Sequence, residues 1–486
     1  MKPVNILLVV LDATRVDACS CYNPGQPRTP ALDELADSGL RFERAFASAP
    51  WTLPALSSIL TGLYPTQTDV ESRRVLAPAH RTLATRLKER GYTTFAISKN
   101  SWFSTEFGLP QGFDTFHKLW QIFQTETDLT EVNLAQAYPG QNLLVSAARG
   151  ALRGNLFKNA ANLVSRRIRG LNDSDYGAQR TLRPVQQWIS AQTGPWFALV
   201  HYLEAHLEYK PPVEWARRYT DNWPLAQKLL AADQLRLCYR HITGAERLTA
   251  DELHTWRQLY AAEVAYQDAA MGQLLHWLQQ SGRADNTLVI AVADHGESQG
   301  EQGLLSHLYS LHDPLIHVPL ILRGPGVPRG RSTRHLVQSQ DIFGTVLAAA
   351  GMPLPAGARN LLDDSSSRSY VVAEYAQPRM PRQELLDRFQ LSPSHFTPFL
   401  RNLTAVRTQE HKLVTSADGT LALYDLIQDP GEEVDRSLEQ PALLATLQGK
   451  LAEWRASVGL ALPPAAAAPA IAPEVAARLK ALGYLD

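Results

Sequence analysis

The chain has 486 residues, of which 45% are hydrophobic and 20% are charged, and this composition is typical of a soluble globular protein that can form more than one hydrophobic core. Its formal net charge of -1 gives no electrostatic reason to expect a nucleic-acid partner. The three cysteines are too few for a disulfide framework, and the apolar segment near the amino terminus is too short to span a bilayer and lacks a small-residue cleavage site. We therefore expect a cytoplasmic protein without a transmembrane segment, whose oligomeric state the sequence leaves open.

The chain begins with an apolar run followed by helix signals. Asn5 to Leu11 predicts a strand buried on both faces, which ends at Asp12. Thr29 and Pro30 predict the start of a helix, with threonine as the N-cap and proline in the first turn. Leu40 to Ala47 predicts a second strand. An acidic residue therefore follows the first predicted strand directly.

A second helix is predicted from Thr52 to Gly62, with Pro54 in its first turn. In one interpretation, the Thr52 hydroxyl only caps this helix. In the other, the hydroxyl lies at the positive end of the helix dipole, where an anionic group would bind. Coordination to a metal would then lower its pKa and make it a nucleophile.

The middle of the chain alternates regular and irregular segments. Leu83 to Arg90 predicts an amphipathic helix, and Thr93 to Ser98 predicts a strand that leads to Asn100. From about 117 to 190 the pattern loosens, and we interpret this segment as a cap or an insertion. Its basic part, residues 147–170, is typical of a solvated helix face, with a surface for an anionic partner as the minority interpretation.

Two more apolar runs end in residues that could carry chemistry. Trp196 to Tyr202 predicts a buried strand, and it is followed by Glu204 and His206. After a long predicted helix from Leu253 to Gln280, the apolar run that starts at Leu288 ends in Asp294 and His295. Ligands of open α/β sheets bind at the carboxyl ends of the strands, so an aspartate and a histidine at such an end predict a cation site. The alternative is a solvated turn.

Several histidines lie near predicted strand ends: His201, His206, His295, His307 and His312. A single histidine is more often structural than functional, but five in these positions favour chemistry.

The remaining sequence predicts a strand at Pro319 to Leu322 and then a proline-rich boundary at 352–358. We therefore divide the chain into a catalytic domain, residues 1–355, and a C-terminal subdomain, residues 356–486. The subdomain is predicted to contain a small antiparallel sheet, with strands at Ser369 to Glu374, Leu403 to Arg407, Lys412 to Thr415 and Leu421 to Leu426. It is also predicted to contain a helix at Pro441 to Val458, an Ala/Pro-rich linker at Leu462 to Ala472 and a terminal helix at Glu474 to Leu482. The fold class is α/β, with a mainly parallel central sheet and a smaller C-terminal α+β subdomain.

The chain resembles the sulfatase-like branch of the alkaline phosphatase superfamily over nearly its whole length. The motifs that carry the resemblance, in order, are Asn5 to Arg15, Thr29 to Asp33, Leu60 to Pro65, Phe107 to Asp114, Ala293 to Glu297, His317 to Ile321, Leu423 to Leu426 and Leu479 to Tyr484. The resemblance implies an alkaline-phosphatase-like sandwich that binds a divalent cation.

The resemblance also implies roles for individual residues. The matching metal ligands are Asp12, Thr52, Asp294 and His295. The catalytic residues are Thr52 as nucleophile with His206 and His307, and the substrate-binding residues are Asn100, His201 and Glu204. His312 and His317 are expected to be structural. Oxygen ligands with one imidazole suit Mn, Mg, Ca or Zn.

The sequence departs from true sulfatases at two places. Sulfatases convert a cysteine or serine, followed by proline and arginine, to formylglycine, whereas this chain has Thr52, which cannot be converted in that way, and Leu56 in place of the arginine. Ala13 follows Asp12 where the family has a second acid. Threonine nucleophiles occur in relatives that act on phosphorus, the nucleotide phosphodiesterases and the phosphoglycerol or phosphoethanolamine transferases.

We therefore expect a metal-dependent hydrolase or transferase of phosphate esters, mainly phosphodiesters, that acts on a small-molecule, lipid or saccharide ester. The alternatives are a sulfate-ester hydrolase without formylglycine and a non-catalytic binding protein of the same fold.

One cation is expected, with a second zinc as the alternative. Phosphodiesterase relatives hold a second zinc through an acid and two histidines, and Glu204, His206 and His307 could form such a site. Against this, Ala13 removes the neighbouring acid, and the turn at 210–212 predicts a loosely held loop, which is a poor preformed zinc site.

Overall fold

The computed structural model describes residues 3–25, 28–119, 177–363, 365, 367–378 and 380–459. The strands of this part of the chain are β1 (Asn5–Leu11), β2 (Leu40–Phe46), β3 (Thr93–Ser98), β4 (Thr115–Lys118), β5 (Trp196–Tyr202), β6 (Thr287–Val292), β7 (Ser298–Gln299), β8 (Leu305–Ser306), β9 (Leu320–Arg323), β10 (Arg331–Gln338), β11 (Val371–Tyr375), β12 (Leu403–Arg407), β13 (His411–Ser416) and β14 (Leu421–Asp425).

The α-helices of the same residues are α1 (Pro30–Ser38), α2 (Thr52–Thr61), α3 (Pro65–Thr68), α4 (Val70–Arg73), α5 (Leu83–Glu89), α6 (Ala178–Ser190), α7 (Val213–Tyr219), α8 (Trp223–Ala231), α9 (Gln234–Ile242), α10 (Ala250–Gln280), α11 (Asp313–Ile316), α12 (Asp341–Ala349), α13 (Gln383–Phe389) and α14 (Pro441–Ser457). None of these helices is both long and apolar enough to cross a membrane.

The central sheet has eight strands in the order β10-β2-β9-β6-β1-β5-β3-β4. All neighbouring pairs are parallel except those of β9, which runs antiparallel to β2 and β6. The predicted α/β fold with a mainly parallel sheet is therefore confirmed. β1 lies between β5 and β6, with Val10 opposite both His201 and Val292. This register brings the carboxyl ends of three strands to one edge of the sheet.

The strands at the centre of the sheet are buried on both faces. Every residue of β5 and β6 is buried, and so are the last six residues of β1. Their side chains are mostly valine, leucine and isoleucine, which suit a sheet covered by helices on both sides. Polar residues that follow these strands are therefore held by a rigid core.

The starts of two helices differ in detail from the prediction. The prediction that Thr52 caps α2 is wrong, because Trp51 is the N-cap and Thr52 is the first helical residue without a capping hydrogen bond. Thr29 does occupy the N-cap of α1, but its hydroxyl bonds Ser20 instead of the helix. The amide groups of Ala31 and Leu32 donate to the carboxylate of Asp268, on α10. The hydroxyl of Thr52 is thus left for other partners.

The C-terminal part contains the predicted small antiparallel sheet, in the order β11-β12-β13-β14. Val371, Ala373 and Tyr375 of β11 belong to the same buried cluster as the central sheet, so the apolar core is continuous across the predicted boundary. The division at residue 355 stays a prediction. The basic stretch at 147–170, the linker at 462–472 and the terminal helix at 474–482 lie outside the described residues, and of the predicted cap the structure describes the end of β4 and helix α6.

Candidate active site

Two carboxylates and an imidazole meet at the carboxyl edge of the central sheet. Asp12 follows β1, and Asp294 and His295 follow β6. All three side chains are completely buried, and one ligand atom of each lies within 4.8 Å of the others. The structure thus assembles three of the four residues that the resemblance assigns to a metal.

Asp12 is held on one side only. Its Oδ2 atom accepts a hydrogen bond of 2.7 Å from Nδ2 of Asn100 and lies 3.2 Å from Nε2 of His201. Its Oδ1 atom is buried and has no hydrogen-bond partner among the described residues. Burial alone raises the pKa of Asp12, but His201, His206 and His295 outweigh it and bring the pKa well below its ordinary value. Asp12 is therefore an ionised carboxylate with one free oxygen.

Asp294 has the complementary arrangement. Its Oδ1 atom accepts hydrogen bonds from the backbone nitrogens of His295, at 3.0 Å, and Ala13, at 3.4 Å. Its Oδ2 atom is buried and has no hydrogen-bond partner within the described ranges. Burial and the charge of Asp12 raise the pKa of Asp294 well above its ordinary value. Two carboxylates this close do not both ionise readily unless a cation lies with them.

His295 presents a lone pair to both carboxylates. Its Nδ1 atom donates to the carbonyl of Gly296 at 2.8 Å, so Nε2 carries no proton in the neutral ring. That Nε2 atom lies 3.5 Å from Oδ1 of Asp12 and 3.7 Å from Oδ2 of Asp294. Burial, aided by His307, lowers the pKa of His295 to about 3, which keeps the ring neutral.

These residues fit a divalent cation. Two free carboxylate oxygens and an imidazole lone pair face one another in a buried space, where they repel each other in the absence of a positive charge. Carboxylate oxygens with one neutral imidazole form a donor set typical of Mn, Mg, Ca or Zn.

Thr52 lies beside this group of acceptors. It is the first residue of α2 and is 2% exposed. Its Oγ1 atom lies 3.3 Å from Nε2 of His295 and accepts a hydrogen bond of 3.3 Å from Nδ2 of Asn100. Asn100 is itself fixed, since its Oδ1 atom accepts from the backbone nitrogen of Trp102. The threonine hydroxyl is therefore directed at His295 and Asn100, which themselves contact Asp12, and not into the core.

Asn100 and His201, which were expected to bind substrate, contact Asp12. Nδ1 of His201 lies 3.0 Å from the hydroxyl of Ser98, and this contact orients the ring toward Asp12. Ser98 ends β3 and His201 belongs to β5, and the two residues are paired in the sheet. The sheet register and the contact with Ser98 therefore place the ring of His201 next to the Asp12 carboxylate.

Three histidine rings form a row along one side of the site. The ring centroid of His307 lies 4.6 Å from that of His295 and 4.7 Å from that of His206. Burial lowers the pKa of His307 to about 4 and also lowers the pKa of His206. Both rings are therefore neutral near pH 7, and a neutral imidazole can donate or accept a proton at the site.

Glu297 is a member of the site that the sequence analysis did not single out. Its Oε1 atom lies 2.9 Å from Nδ1 of His307, and its Oε2 atom accepts from the backbone nitrogen of Leu207 at 3.2 Å. It is completely buried, and burial raises its pKa to about 8. The signal in the sequence is its place two residues after His295, in the segment that follows β6.

The loop after β5 is irregular, as expected, but the expectation that it is loosely held is wrong. Ala205 has a φ of 72°, yet residues 203–207 are all buried. The backbone nitrogens of Leu207 and Tyr209 donate to Glu297 and Gln234, so the loop is tied to two other parts of the chain. His206 is therefore rigidly placed next to His307.

Glu204 and two further histidines have other contacts. The Oε1 atom of Glu204 accepts a hydrogen bond of 2.7 Å from the backbone nitrogen of Ala178, at the start of α6. His312 lies 3.6 Å from Glu432, and Nε2 of His317 lies 2.9 Å from the carbonyl oxygen of Glu43. The substrate-binding role of Glu204 and a second zinc at Glu204, His206 and His307 stay predictions.

Comparison with known proteins identifies the family. The family model described as Sulfatase matches residues 4–352. The chain belongs to the sulfatase family. It is 26% identical over 444 residues to the Uncharacterized sulfatase YidJ of Escherichia coli strain K12, an alignment that covers 89% of this chain and 82% of that protein.

Solved structures show the same fold. The phosphonate monoester hydrolase of Agrobacterium radiobacter superposes with a TM-score of 0.70 and 23% identity, covering 94% of this chain and 96% of that one. A second solved protein, whose structure is a complex with its substrate D-glucosamine-2-N,6-O-disulfate, superposes with a TM-score of 0.66 and 18% identity. The superposition covers 94% of this chain and 98% of that one. This sulfatase-family member is thus a hydrolase with the fold of the alkaline phosphatase superfamily, and its family binds a divalent metal. The alternative of a non-catalytic binding protein is not supported.

Proposed function

We propose that this enzyme is a metal-dependent hydrolase or transferase of phosphate esters, mainly phosphodiesters, in which Thr52 is the nucleophile. The observation that carries the proposal is the position of the Thr52 hydroxyl, 3.3 Å from Nε2 of His295. That nitrogen itself lies 3.5 Å from Oδ1 of Asp12 and 3.7 Å from Oδ2 of Asp294. This chain has no cysteine or serine at that position from which formylglycine could form.

The surroundings of Thr52 suit a nucleophilic hydroxyl. Thr52 is the first residue of α2, so its hydroxyl lies at the positive end of the helix dipole, which stabilises a developing oxyanion. The hydrogen bond from Asn100 fixes the orientation of the hydroxyl. A divalent cation held by Asp12, Thr52, Asp294 and His295 would lower the pKa of the hydroxyl and withdraw charge from the ester.

His206 and His307 are proposed to handle the proton of the leaving group. Both are buried, neutral imidazoles next to each other, so either can accept the proton that Thr52 loses and then, as an imidazolium, return it to the leaving oxygen. The contact of His307 with Glu297 fixes its ring. Attack by Thr52 forms a bond between its Oγ1 atom and phosphorus and breaks the bond to the alcohol, which leaves with the proton that Thr52 has lost. Water or an acceptor alcohol then breaks the bond between phosphorus and Thr52, which regains a proton.

A sulfate-ester hydrolase that uses threonine is the second candidate. Its support is the family match and the sulfated substrate of one structural neighbour. The geometry at Thr52 serves attack on sulfur as well as on phosphorus, so substrate tests must separate the two.

The experiment compares an aryl phosphodiester, an aryl phosphomonoester and an aryl sulfate with purified enzyme in the presence of Mn, Mg, Ca or Zn. We expect the phosphodiester to have the largest kcat/KM and all activity to disappear with a chelator. Thr52→Ala should abolish turnover, whereas Thr61→Ala should retain it, because Thr61 lies at the far end of α2 and its hydroxyl bonds only the Ser57 carbonyl and the Leu63 amide in the described structure. Fastest turnover of the sulfate would favour the second candidate, and full activity of Thr52→Ala would overturn both.

Metal content tests the proposed single cation. We expect one tightly bound metal per chain, unchanged in Glu204→Ala. Two zinc ions per chain that are lost together with activity in Glu204→Ala would instead indicate a two-metal phosphodiesterase site.

A further inference from the structure

A cavity of about 580 Å³ lies at the end of α2 opposite Thr52. Gly62 and Tyr64, which follow the helix, form part of its wall, and the segments at 79–81 and 355–359 form other parts. Because α2 has ten residues, the cavity lies about 15 Å from the active site. Its volume is in the range of pockets that hold small molecules.

The wall of this cavity carries basic side chains and no acidic ones. The basic residues that line it are His80, Arg81, Arg86, Arg359 and Arg368, and neither aspartate nor glutamate is among the described lining residues. A cavity with several guanidinium groups and no carboxylate favours an anionic occupant.

Two of these charges have an acidic partner that does not line the cavity. Arg368 is paired with the buried Asp341, so its charge is neutralised inside the protein. Arg81 is paired with Glu89, but both side chains are about half exposed. Exposed pairs of this kind contribute little and are readily exchanged for another anion.

Arg86 has no acidic partner among the residues that the structure describes. Its Nε atom is buried and makes no hydrogen bond to any described residue, and its guanidinium lies 5.8 Å from the centre of the Phe343 ring. Partial burial and the neighbouring Arg81 lower the pKa of Arg86 below its ordinary value. Two arginines thus lie close together in a half-enclosed space, an arrangement that an anion between them would stabilise.

We propose that this cavity is an accessory site that binds a sulfate or phosphate group, either as the free anion or carried on a small sugar. Guanidinium groups of Arg81 and Arg86 suit the bidentate recognition of such oxyanions. The ring of Tyr370 also lines the cavity, and the ammonium group of Lys450 lies 5.3 Å from the centre of this ring. The site is separate from Thr52 and does not depend on the nature of the nucleophile.

The test is calorimetric titration of the metal-loaded full-length enzyme with sodium sulfate and with sodium phosphate at constant ionic strength. We expect two binding events, one at the active site and one in the cavity. Arg86→Gln should weaken the cavity event at least tenfold and leave kcat/KM for a small aryl ester within twofold of wild type. Glutamine suits a helix interior, so this variant should fold.

Arg90→Gln is the matched control, because Arg90 follows the same helix, is exposed and does not line the cavity. It should retain both events. Asp294→Asn should lose only the active-site event, so a failure of this proposal is distinguishable from a failure of the metal site. The proposal is overturned if wild type shows no second event, or if Arg86→Gln and Arg90→Gln weaken it equally.

Titration with glucose 6-sulfate and glucose 6-phosphate identifies the source of the bound group. Binding in the cavity that is tenfold tighter than that of the inorganic anions indicates a sugar-borne group, and equal or weaker binding indicates the free anion.

Discussion

Oε1 of Glu297 and Nδ1 of His307 lie 2.9 Å apart, and neither side chain is more than 1% exposed. The contact joins the residue that precedes β7 to the residue that follows β8, and it fixes the ring of His307 between those of His206 and His295. An acid that orients a histidine in this way is commonly required for the histidine to work.

We therefore predict that Glu297→Ala lowers kcat by about 100-fold with a smaller change in KM, since partners of this kind typically contribute 10- to 100-fold. Glu297→Gln retains an oxygen that can accept from Nδ1 and should lose less. Steady-state kinetics are the measurement, with Glu246→Gln, an exposed glutamate, as the control. Equal kcat in Glu297→Ala and wild type would mean that His307 needs no orientation or has no role in turnover.

The carboxylate pair leads to a prediction about stability. In metal-free protein, Asp294→Asn should raise the free energy of unfolding, because it removes a buried carboxylate that faces Asp12 without a hydrogen bond at Oδ2. The expected gain is about 1–3 kcal/mol, the usual cost of an unsatisfied buried polar group. Urea unfolding with and without metal is the measurement, and the same variant should no longer be stabilised by added metal. Asp285→Asn, an exposed change before the same strand, should alter neither quantity. Destabilisation of the metal-free protein by Asp294→Asn would contradict the interpretation of the pair as a site built for a cation.

A buried ion-pair network connects the C-terminal sheet to the active-site loop. Asp313 pairs with Arg407 at 2.9 Å and with Lys412 at 3.0 Å, and Lys412 is completely buried. In the next residues, the carbonyls of Pro314 and Leu315 accept hydrogen bonds from the backbone of Glu297 and Gly296. Asp313→Asn should therefore lower the free energy of unfolding by about 3 kcal/mol, as expected when one partner of a buried ion pair is removed. It should also reduce kcat/KM.

The same network implies a loss of stability in acid. Burial raises the pKa of Asp313, but Arg407 and Lys412 outweigh it and bring the pKa well below its ordinary value of 3.8. The stability that Asp313 contributes is therefore present above that ordinary value and is lost as the pH falls below it. Unfolding by urea as a function of pH should show this loss in wild type and less of it in Asp313→Asn. Asp387→Asn, at an exposed aspartate on α13, serves as the control. Identical acid profiles of wild type and Asp313→Asn would exclude the network as a source of stability.

Glu374 gives a pH dependence of the opposite sign. Burial, with a contribution from Glu71, raises its pKa from an ordinary value of 4.5 to about 8, against the hydrogen bond from the backbone of Thr66. Between these values the folded protein holds a proton that the unfolded chain has lost, so the free energy of unfolding falls as the pH rises, by at most about 1.4 kcal/mol per pH unit for one group. Glu374→Gln should reduce this fall, and the exposed change Glu433→Gln should not. If the free energy of unfolding changed with pH in the same way in wild type and Glu374→Gln, the assignment of this pH dependence to Glu374 would be contradicted.

Much of the fold follows from local pattern. The apolar runs of β1, β5 and β6 are buried on both faces, and for such strands hydrophobicity alone identifies the element. β4 and β10 were not predicted, because they lie at the two edges of the sheet and their sequences are largely polar. Edge strands have a weak hydrophobic pattern, since only part of each strand is buried by the rest of the protein.

The site was predictable where its residues directly follow a strand. It was less predictable where the side chains in contact come from segments that are distant in the sequence. Asp12, Asp294 and His295 follow β1 and β6, so strand ends were enough to bring them together. The contact of His201 with Asp12 depends on the register between β1 and β5, and that of Glu297 with His307 on the path of a short hairpin. Neither register nor hairpin path is contained in a single sequence pattern.

The most direct test of the central claim is a search for a covalent intermediate on Thr52. Metal-loaded enzyme is mixed with an aryl phosphodiester, quenched in acid within the first turnover, digested and analysed by mass spectrometry. We predict that the peptide containing Thr52 carries the substrate's phosphoryl group in wild type and in Thr61→Ala, and that Thr52→Ala shows neither the adduct nor turnover. An adduct on another residue, or wild-type turnover by Thr52→Ala, would contradict the assignment of Thr52 as the nucleophile.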